Sequence, residues 1–423
     1  MRATHYQKRS AISKKDIIIG IDIGSRFHAV VIQDKEGQII KSYEKIYNSR
    51  KGLDYLTSEI ERLRKKKGYK KVHVGFEPTG HYWRNLIYHL HSKNYEIHFI
   101  RTTAVKSQRD LDDSSSSKND LRDAKDIASL VREGKYIDSK IPQGVYQKLR
   151  EAGKLRAKVM KIKTSMINRL TMLMGTYFPE VLENFWATDS VGFWRLIKTA
   201  PFPKDIRELS EEELREILSV SGVRKKSLDE KLKNLKDAAW SSIGIESNDF
   251  AKYNIENCIE ILEIYHRQLR EIKKKMESLL EETEYWEIMK SISGVGVVTA
   301  ATFLGELGDP SNFKDAKAII KFAGIDPKEN SSGIKTSSKK ISKKGRYLMR
   351  TMIYFISMRL IYRSEEFKKY YKRKLETKTS SGRNLEKKEA LFAVAIKFIK
   401  ILFAMFRDRA IYSSLKMENK LAA

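Results

Sequence analysis

A single cysteine, Cys258, stands in 423 residues. An intrachain disulfide framework is thereby excluded, and the chain fits a reducing compartment, the cytoplasm. Proline and glycine are sparse, at 7 and 22, so long helices are expected rather than extended linkers. The polar, basic stretch from Met1 to Lys15 has no apolar segment of the kind a secretory leader needs. The longest apolar run, Ala390 to Phe406, is interrupted by Lys397 and Lys400. A buried helix explains it better than a membrane span. Acidic residues are the minority among the charges: 54 Asp and Glu face 83 Lys and Arg, a formal net charge of +29. Such an excess suits a polyanion, with nucleic acid the first partner to consider and an anionic membrane surface the lesser.

The N-terminal third alternates short apolar runs with helical patterns. Asp16-Ile-Ile-Ile-Gly-Ile-Asp-Ile-Gly-Ser25, Ala29 to Asp34 and Gln38 to Tyr43 form a three-strand meander. A helix over Leu53–Lys65, a strand over Lys71–Phe76, a helix over His81–Lys93, a strand over Tyr95–Ile100 and a helix over Leu121–Arg132 follow. The order β-β-β-α-β-α-β-α belongs to the ribonuclease H-like class of α/β folds. In that layout Asp22 lies inside the first strand and Glu77 closes a later one. Asp120 and Asp123 are three apart in a first helical turn and share a face. Together the four acids match the carboxylate set that holds two Mg²⁺ ions, with Mn²⁺ able to replace them. Taken one by one, Asp22 also suits a turn cap, and Asp120 and Asp123 suit the ordinary preference of acids for a helix N-terminus. Asp126 is a reserve ligand; Asp112 and Asp113 rank lower. Six histidines (His28, His73, His81, His89, His91, His98) fall in this region without a recognised metal spacing, and structural roles are expected for them. His81, after the Glu77 turn, is placed to touch substrate.

The middle reads as long helices. Tyr146 to Met174 carries a stripe of Leu155, Val159, Ile162, Met166, Leu170 and Leu173 beside a basic face that includes Lys154, Lys158 and Lys161. Ile255 to Leu279 places Ile255, Leu262, Leu269 and Met276 with Cys258, Tyr265, Ile272 and Leu279 at heptad a and d positions. A coiled coil is expected, either an antiparallel pair with the first helix or an oligomer seam, against the alternative of two ordinary bundle helices. Residues 179–252 form a small helical insert without assigned chemistry.

In the last third, Ser293-Gly-Val-Gly296 joins two helical patterns. Gly294 and Gly296 then suit a helix-hairpin-helix that offers backbone amides to a phosphate, or simply a tight turn. Ser331-Ser332-Gly333 is followed by Lys339, Lys340, Lys343, Lys344, Arg346 and Arg350. Ser332 is thus a nucleophile candidate in a field that attracts phosphate; the alternative is a Ser/Lys-rich surface loop.

These residues add up to a resemblance. Gly20-Ile-Asp-Ile-Gly24, Glu77-Pro-Thr-Gly80 and Asn119-Asp-Leu-Arg-Asp-Ala124 carry its N-terminal part. Ser293-Gly-Val-Gly-Val-Val-Thr-Ala300, Phe322-Ala-Gly-Ile-Asp-Pro327, Ser332-Gly333 and Ile341-Ser-Lys-Lys-Gly-Arg346 carry its C-terminal part. In order and over nearly the whole chain, the sequence resembles the DEDD transposases of bacterial insertion sequences. The resemblance implies an α/β plus all-α architecture. A ribonuclease H-like (RuvC-like) domain would span 16–140, coiled-coil helices 141–178 and 253–284, the insert 179–252, and a helical serine transposase domain with a helix-hairpin-helix-like motif 285–410. It places the family's four acids on Asp22, Glu77, Asp120 and Asp123 and its nucleophile on Ser332, with Ser331 beside it. It implies a covalent phosphoserine link to DNA, donor and target DNA as substrates, a bridge RNA as guide, a dimer or tetramer whose composite site uses two protomers, and action at the bacterial nucleoid, with no membrane partner. The rival readings are a Mg²⁺-dependent nuclease or hydrolytic transposase that leaves Ser332 idle, and a non-catalytic architectural protein. A sugar kinase or actin-like ATPase lacks a second phosphate motif here, and no histidine follows His266 to build a Ser-His-Asp hydrolase.

Overall fold

The computed structural model describes residues 5–78, 80–112, 119–137, 142–184, 187–220, 227–327, 331–332, 335–336, 341–378 and 382–413. Its contacts divide the chain into two units, Met1–Ile141 and Pro142–Ala423.

The first unit opens with α1 (His5–Ala11) and the strands β1 (Asp16–Ile23), β2 (Phe27–Gln33) and β3 (Ile39–Tyr47). Next come α2 (Arg50–Lys67), β4 (Lys71–Phe76), α3 (Trp83–Ser92), β5 (Glu96–Phe99), α4 (Thr102–Asp112) and α5 (Asp120–Arg132). The sheet order is β3-β2-β1-β4-β5. β1–β2 and β2–β3 pair antiparallel, while β4 runs parallel to β1 and β5 parallel to β4. This mixed sheet agrees with the ribonuclease H-like expectation. β1 is central and buried on both faces, which is why it opens with Ile17-Ile18-Ile19 rather than an alternation. One face packs Ile17, Ile19 and Ile21 against α2 and α3 through Leu56, Ile60, Leu86 and Leu90. The other face packs Ile18 against Ile127, Ala128 and Val131 of α5. Two helices had no place in the expected order: α1, in a stretch read only as polar, and α4, in a stretch passed over before the serines.

The second unit is helical. It contains α6 (Gly144–Tyr177), α7 (Glu180–Asn184), α8 (Val191–Thr199), α9 (Pro203–Glu208), α10 (Glu211–Val220), α11 (Leu228–Ser241) and α12 (Asp249–Glu281). α13 (Trp286–Lys290), α14 (Val297–Leu307) and α15 (Ala316–Ala323) follow, then β6 (Ser331–Ser332), β7 (Lys335–Thr336), α16 (Tyr347–Arg363), α17 (Glu365–Glu376) and α18 (Lys387–Asp408). α6 and α12 lie side by side and antiparallel. Leu149 and Val159 share a core with Ile272, Met276 and Leu280, whereas Leu170, Leu173 and Met174 share another with Ile255, Cys258 and Leu262. The heptad positions of α12 face inward accordingly. The α6 stripe needs correction: Leu155 and Ile162 are 53 % and 42 % exposed. A 3.5-residue spacing drifts around a helix that packs against several neighbours in turn, so the buried row passes through Gly153 and Lys163 instead. Gly153 lies in contact with Thr302 of α14. The apolar run from Ala390 lies in α18, whose Val394, Phe398 and Leu402 are core. No described helix is long and apolar enough to cross a membrane.

Candidate active site

Pleating sets the geometry of the acids. Side chains two apart on a strand share a face. Gly20 and Asp22 therefore lie on one side of β1, and Gly75 and the adjoining Glu77 on the same side of β4, since Gly20 pairs with Gly75 and Ile21 with Phe76. α5 crosses this face at very close range. A Cβ at Gly20 would sit 2.0 Å from the Ala124 carbonyl oxygen and 2.5 Å from the Ala128 nitrogen. One at Gly75 would sit 2.3 Å from Val131 Cγ2 and 3.2 Å from Ile127 Cγ2. Two glycines in register thus form a seat that no side chain could share.

α5 runs antiparallel to β1. Its last residue, Arg132, donates from Nη1 to the Glu36 carbonyl at 3.0 Å, in the β2–β3 connection. Its first turn puts Leu121 beside Ala29, the partner of Asp22 across β2. Residues four apart stack along a helix. The row Ala124–Ala128 over Gly20 is continued toward the N-terminus by Asp120, and the row Ile127–Val131 over Gly75 by Asp123. Four helical residues advance ~6 Å and two strand residues ~6.6 Å. Asp120 and Asp123 therefore lie toward the same end of the sheet as Asp22 and Glu77. Asn119 caps this helix, accepting from the Leu121 amide at 3.0 Å. Asp123 is only 5 % exposed, Asp22 and Glu77 are half-buried, and Asp120 faces solvent. An all-carboxylate set of hard oxygen donors fits a hard divalent cation such as Mg²⁺ or Mn²⁺. Asp126 is also buried, one turn further along α5. His81 is exposed, its ring tilted against that of Tyr82 at 4.2 Å between centroids. The Asp112 side chain and all of Asp113 lie outside the described residues.

In the second unit, the serine segment leaves from a braced stem. Pro327 bridges to Ile341, Ser342 donates from its amide to the Asp326 carbonyl at 2.9 Å and from Oγ to Asp326 Oδ1 at 2.5 Å, and Lys343, at φ 52°, donates to the Gly324 carbonyl at 3.0 Å. Gly324 and Gly345 approach so closely that a Cβ on Gly345 would sit 2.6 Å from the Gly324 nitrogen. Ser331 pairs with Thr336 and Ser332 with Lys335. The Ser332 side chain, and Gly333, Lys339 and Lys340 entirely, lie outside the described residues. The remaining basic residues divide by role. Arg350 donates to the Ala323 carbonyl at 3.0 Å, holding the stem. Arg346 lies 3.6 Å from buried Glu306 and covers the Phe322 ring. Lys343, Lys344, Lys158 and Lys161 point to solvent, and Lys154 is half-buried. Gly294, at φ 90°, accepts from Arg359 Nη1 at 3.1 Å. Gly296 opens α14 without a side-chain cap, so amides of the first turn face outward at an open position. α13, at five residues, is a shorter first arm than the expected hairpin of helices.

One grouping escaped the sequence reading altogether. His73 and His98, expected above to be structural, converge with Glu96 in the first unit. Glu96-Ile-His98 is an alternation that a strand turns into a shared face, and that was the available signal.

Residues 19–179 match the family model of the DEDD transposase domain of IS110 elements, described as "Transposase". Residues 286–372 match the model described as "Transposase IS116/IS110/IS902 family". Among curated proteins, the chain is 28 % identical over 149 residues to the insertion element IS110 uncharacterized 43.6 kDa protein of Streptomyces coelicolor, covering 35 % of each. It is 28 % identical to the insertion element IS116 uncharacterized 44.8 kDa protein of Streptomyces clavuligerus, over 30 % of each. It is 28 % identical to the transposase for insertion sequence element IS1111A of Coxiella burnetii, over 23 % of this chain and 27 % of that one. The chain spans about a third of the length of the curated relatives it matches first. Its homologues include IS110- and IS116-family transposases.

Proposed function

We propose that this chain is a DNA transposase of the IS110 type that cuts and rejoins insertion-sequence DNA through a covalent phosphoserine link. What supports the reading is the match of residues 19–179 to a DEDD transposase family, together with a strand register and a close α5 seat that put Asp22, Glu77, Asp120 and Asp123 toward one sheet end. In this reading residues 16–140 are the RuvC-like domain, 141–178 and 253–284 a coiled-coil pair, 179–252 an insert and 285–410 the serine domain.

Ser332 Oγ attacks a DNA phosphorus. One phosphorus–oxygen bond of the strand breaks, the departing oxygen takes up a proton as a strand-end hydroxyl, and the phosphate is left esterified to Ser332. Attack on that ester by another strand's hydroxyl re-forms a phosphodiester and returns the serine hydroxyl, so bond energy is conserved. Asp22, Glu77, Asp120 and Asp123 would hold Mg²⁺ or Mn²⁺, which would supply polarisation of the phosphate and stabilise charge on the leaving oxygen. The stem at 324–327 and 341–346 positions the serine segment, while Gly294, Gly296, Lys343 and Lys344 contact DNA backbone. Arg346 and Arg350 act by holding that stem. The basic face of α6, with Lys154, Lys158 and Lys161, and the net charge of +29 serve a guide RNA, which selects donor and target by base pairing. A dimer or tetramer acts at the nucleoid.

The test is a denaturing gel of end-labelled element DNA incubated with protein, its co-purified RNA and Mg²⁺. Wild type and Ser331→Ala are expected to give a protease-sensitive adduct, and Ser332→Ala none. Asp22→Asn should lose adduct and cleavage together. Cleavage that persists in Ser332→Ala without any adduct in wild type would replace this mechanism with hydrolysis. Protein free of RNA and fully active after ribonuclease would remove the guide.

A further inference from the structure

We propose that His73, Glu96 and His98 form a second metal site, a Zn²⁺ site that ties the edge strand β5 to β4, separate from the four acids. Strand register brings the residues together. Glu96 and His98 alternate onto one face of β5, and Glu96 stands opposite His73 on β4. His73 Nδ1 lies 3.0 Å from His98 Nε2 and 3.6 Å from a Glu96 carboxylate oxygen. One donor atom from each of the three lies within 4.8 Å of the others. Zn²⁺ bound by His nitrogen and carboxylate oxygen at ~2.0–2.1 Å in a tetrahedron requires donor separations of ~3.3–3.4 Å. The two His73 distances bracket that value, and the set matches the two-histidine, one-glutamate pattern with a fourth position for water.

The surroundings favour ligation. His73 and His98 are 3 % and 7 % exposed. Burial, with neighbouring His73 and Lys8, pushes His98 down to about 3, and burial lowers His73 as well; the neutral imidazole is the form that binds a metal. Asp16 Oδ2 sits 3.5 Å from His73 Nε2, on the far side of the ring from the proposed ion. It is itself fixed by the Ser13 amide at 2.7 Å. A carboxylate behind a ligating histidine orients the ring and leaves the opposite nitrogen free to bind. Lys71 takes Glu96 Oε1 at 3.0 Å and leaves Oε2 to the site. Tyr136 covers the His98 ring at 4.0 Å, and Lys8 donates to the Tyr136 carbonyl at 2.8 Å. Lys8 and Lys71 are cations beside the site, and their charge limits its affinity for a cation. Without metal, the 3.0 Å contact is a hydrogen bond between the imidazoles; with Zn²⁺ the ion takes that position and the His98 hydrogen moves to Nδ1. His73 precedes Glu77 by four residues, ~13 Å along the strand, so the two sites do not share ligands.

The test uses the full-length chain stripped with a chelator and titrated with Zn²⁺ against a chromophoric competitor, with Co²⁺ as a spectroscopic stand-in. Wild type and Asp22→Asn are expected to bind one Zn²⁺ tightly and to show the visible bands of four-coordinate Co²⁺. Glu96→Gln, at an exposed position that should not impair folding, should weaken binding tenfold or more, and His98→Gln should remove the bands. Zn²⁺ should raise the melting temperature of wild type and not of Glu96→Gln. Folded wild type that takes up no Zn²⁺, or the same stoichiometry and affinity in Glu96→Gln and His98→Gln, would overturn the site. Loss of Zn²⁺ in Asp22→Asn alone would assign the ion to the acids instead.

Discussion

Gly20→Ala is the sharpest test of how the acids are assembled. The added methyl would sit 2.0 Å from the Ala124 oxygen and 2.5 Å from the Ala128 nitrogen, both backbone atoms that cannot rotate away. Ordinary contact needs roughly 3.5 Å, so α5 must retreat by roughly 1.5 Å. Overpacking of this kind costs about 1–3 kcal/mol, which in a unit of this size lowers the melting temperature by roughly 3 °C for each kcal/mol. The functional cost is larger. Asp120 and Asp123 ride on α5 while Asp22 and Glu77 stay with the sheet, and a misplacement of ~1 Å in a catalytic set costs about a hundredfold in rate. Gly68→Ala is the control: Gly68 closes α2 at φ 68° with no atom within 4 Å of the added methyl. It should lose about 1 kcal/mol through backbone strain and keep its activity. The assays are thermal melts by circular dichroism and metal-dependent cleavage of element DNA, with both variants at equal folded concentration. If Gly20→Ala melts and cleaves like wild type, the close seating of α5 on β1 is wrong, and with it the placement of the acids.

Two further outcomes follow from buried and paired charges. Glu306→Ala removes the carboxylate that lies 3.5 Å from Arg150 and 3.6 Å from Arg346 while itself 5 % exposed; it should destabilise the helical unit by about 3 kcal/mol, and a melt unchanged within a degree would contradict the pairing. Hydrogen bonds from Arg62, Lys41 and Tyr43 hold the Glu59 carboxyl down to about 2 from its usual 4.5. The folded state therefore binds fewer protons than the unfolded one between these values, so this contribution is complete above pH 4.5 and disappears as pH falls toward 2. Glu59→Gln should lose about 1–2 kcal/mol at neutral pH and show a flatter acid limb in denaturant midpoints collected from pH 7 to 2.5; a limb parallel to wild type would count against it.

Much of the first unit was legible because its signals are local. An isoleucine run, a Lys-Glu-Gly turn and a strand closed by Glu-Pro each fix an element within a few residues, and β1 through β5 and α2, α3 and α5 fall where periodicity put them. The acids were legible for the same reason: their places at strand ends and in a first helical turn are properties of short segments. α4 was missed because Thr102–Asp112 has little apolar periodicity and ends beside a serine run. Two of the six α6 stripe positions, Leu155 and Ile162, were misplaced because its neighbours change along its length: α12 throughout, α14 at Gly153, and the α8 segment near Lys163, which pairs with Asp189 at 2.6 Å. Arg346 and Arg350 read as free phosphate binders because charge in a sequence carries no record of what it is folded against.

Composition and local pattern by themselves determined a basic, helix-rich chain with one buried thiol, a leading α/β segment, and acids at the end of its first strand and in the first turn of its last helix. Only the tertiary structure decided that Gly20 and Gly75 lie in register beneath α5, and that His73 meets His98 across two strands. Those facts depend on which strands become neighbours and at what offset. Residues distant in the chain set that choice by burying their surfaces together, and no short stretch of sequence contains it.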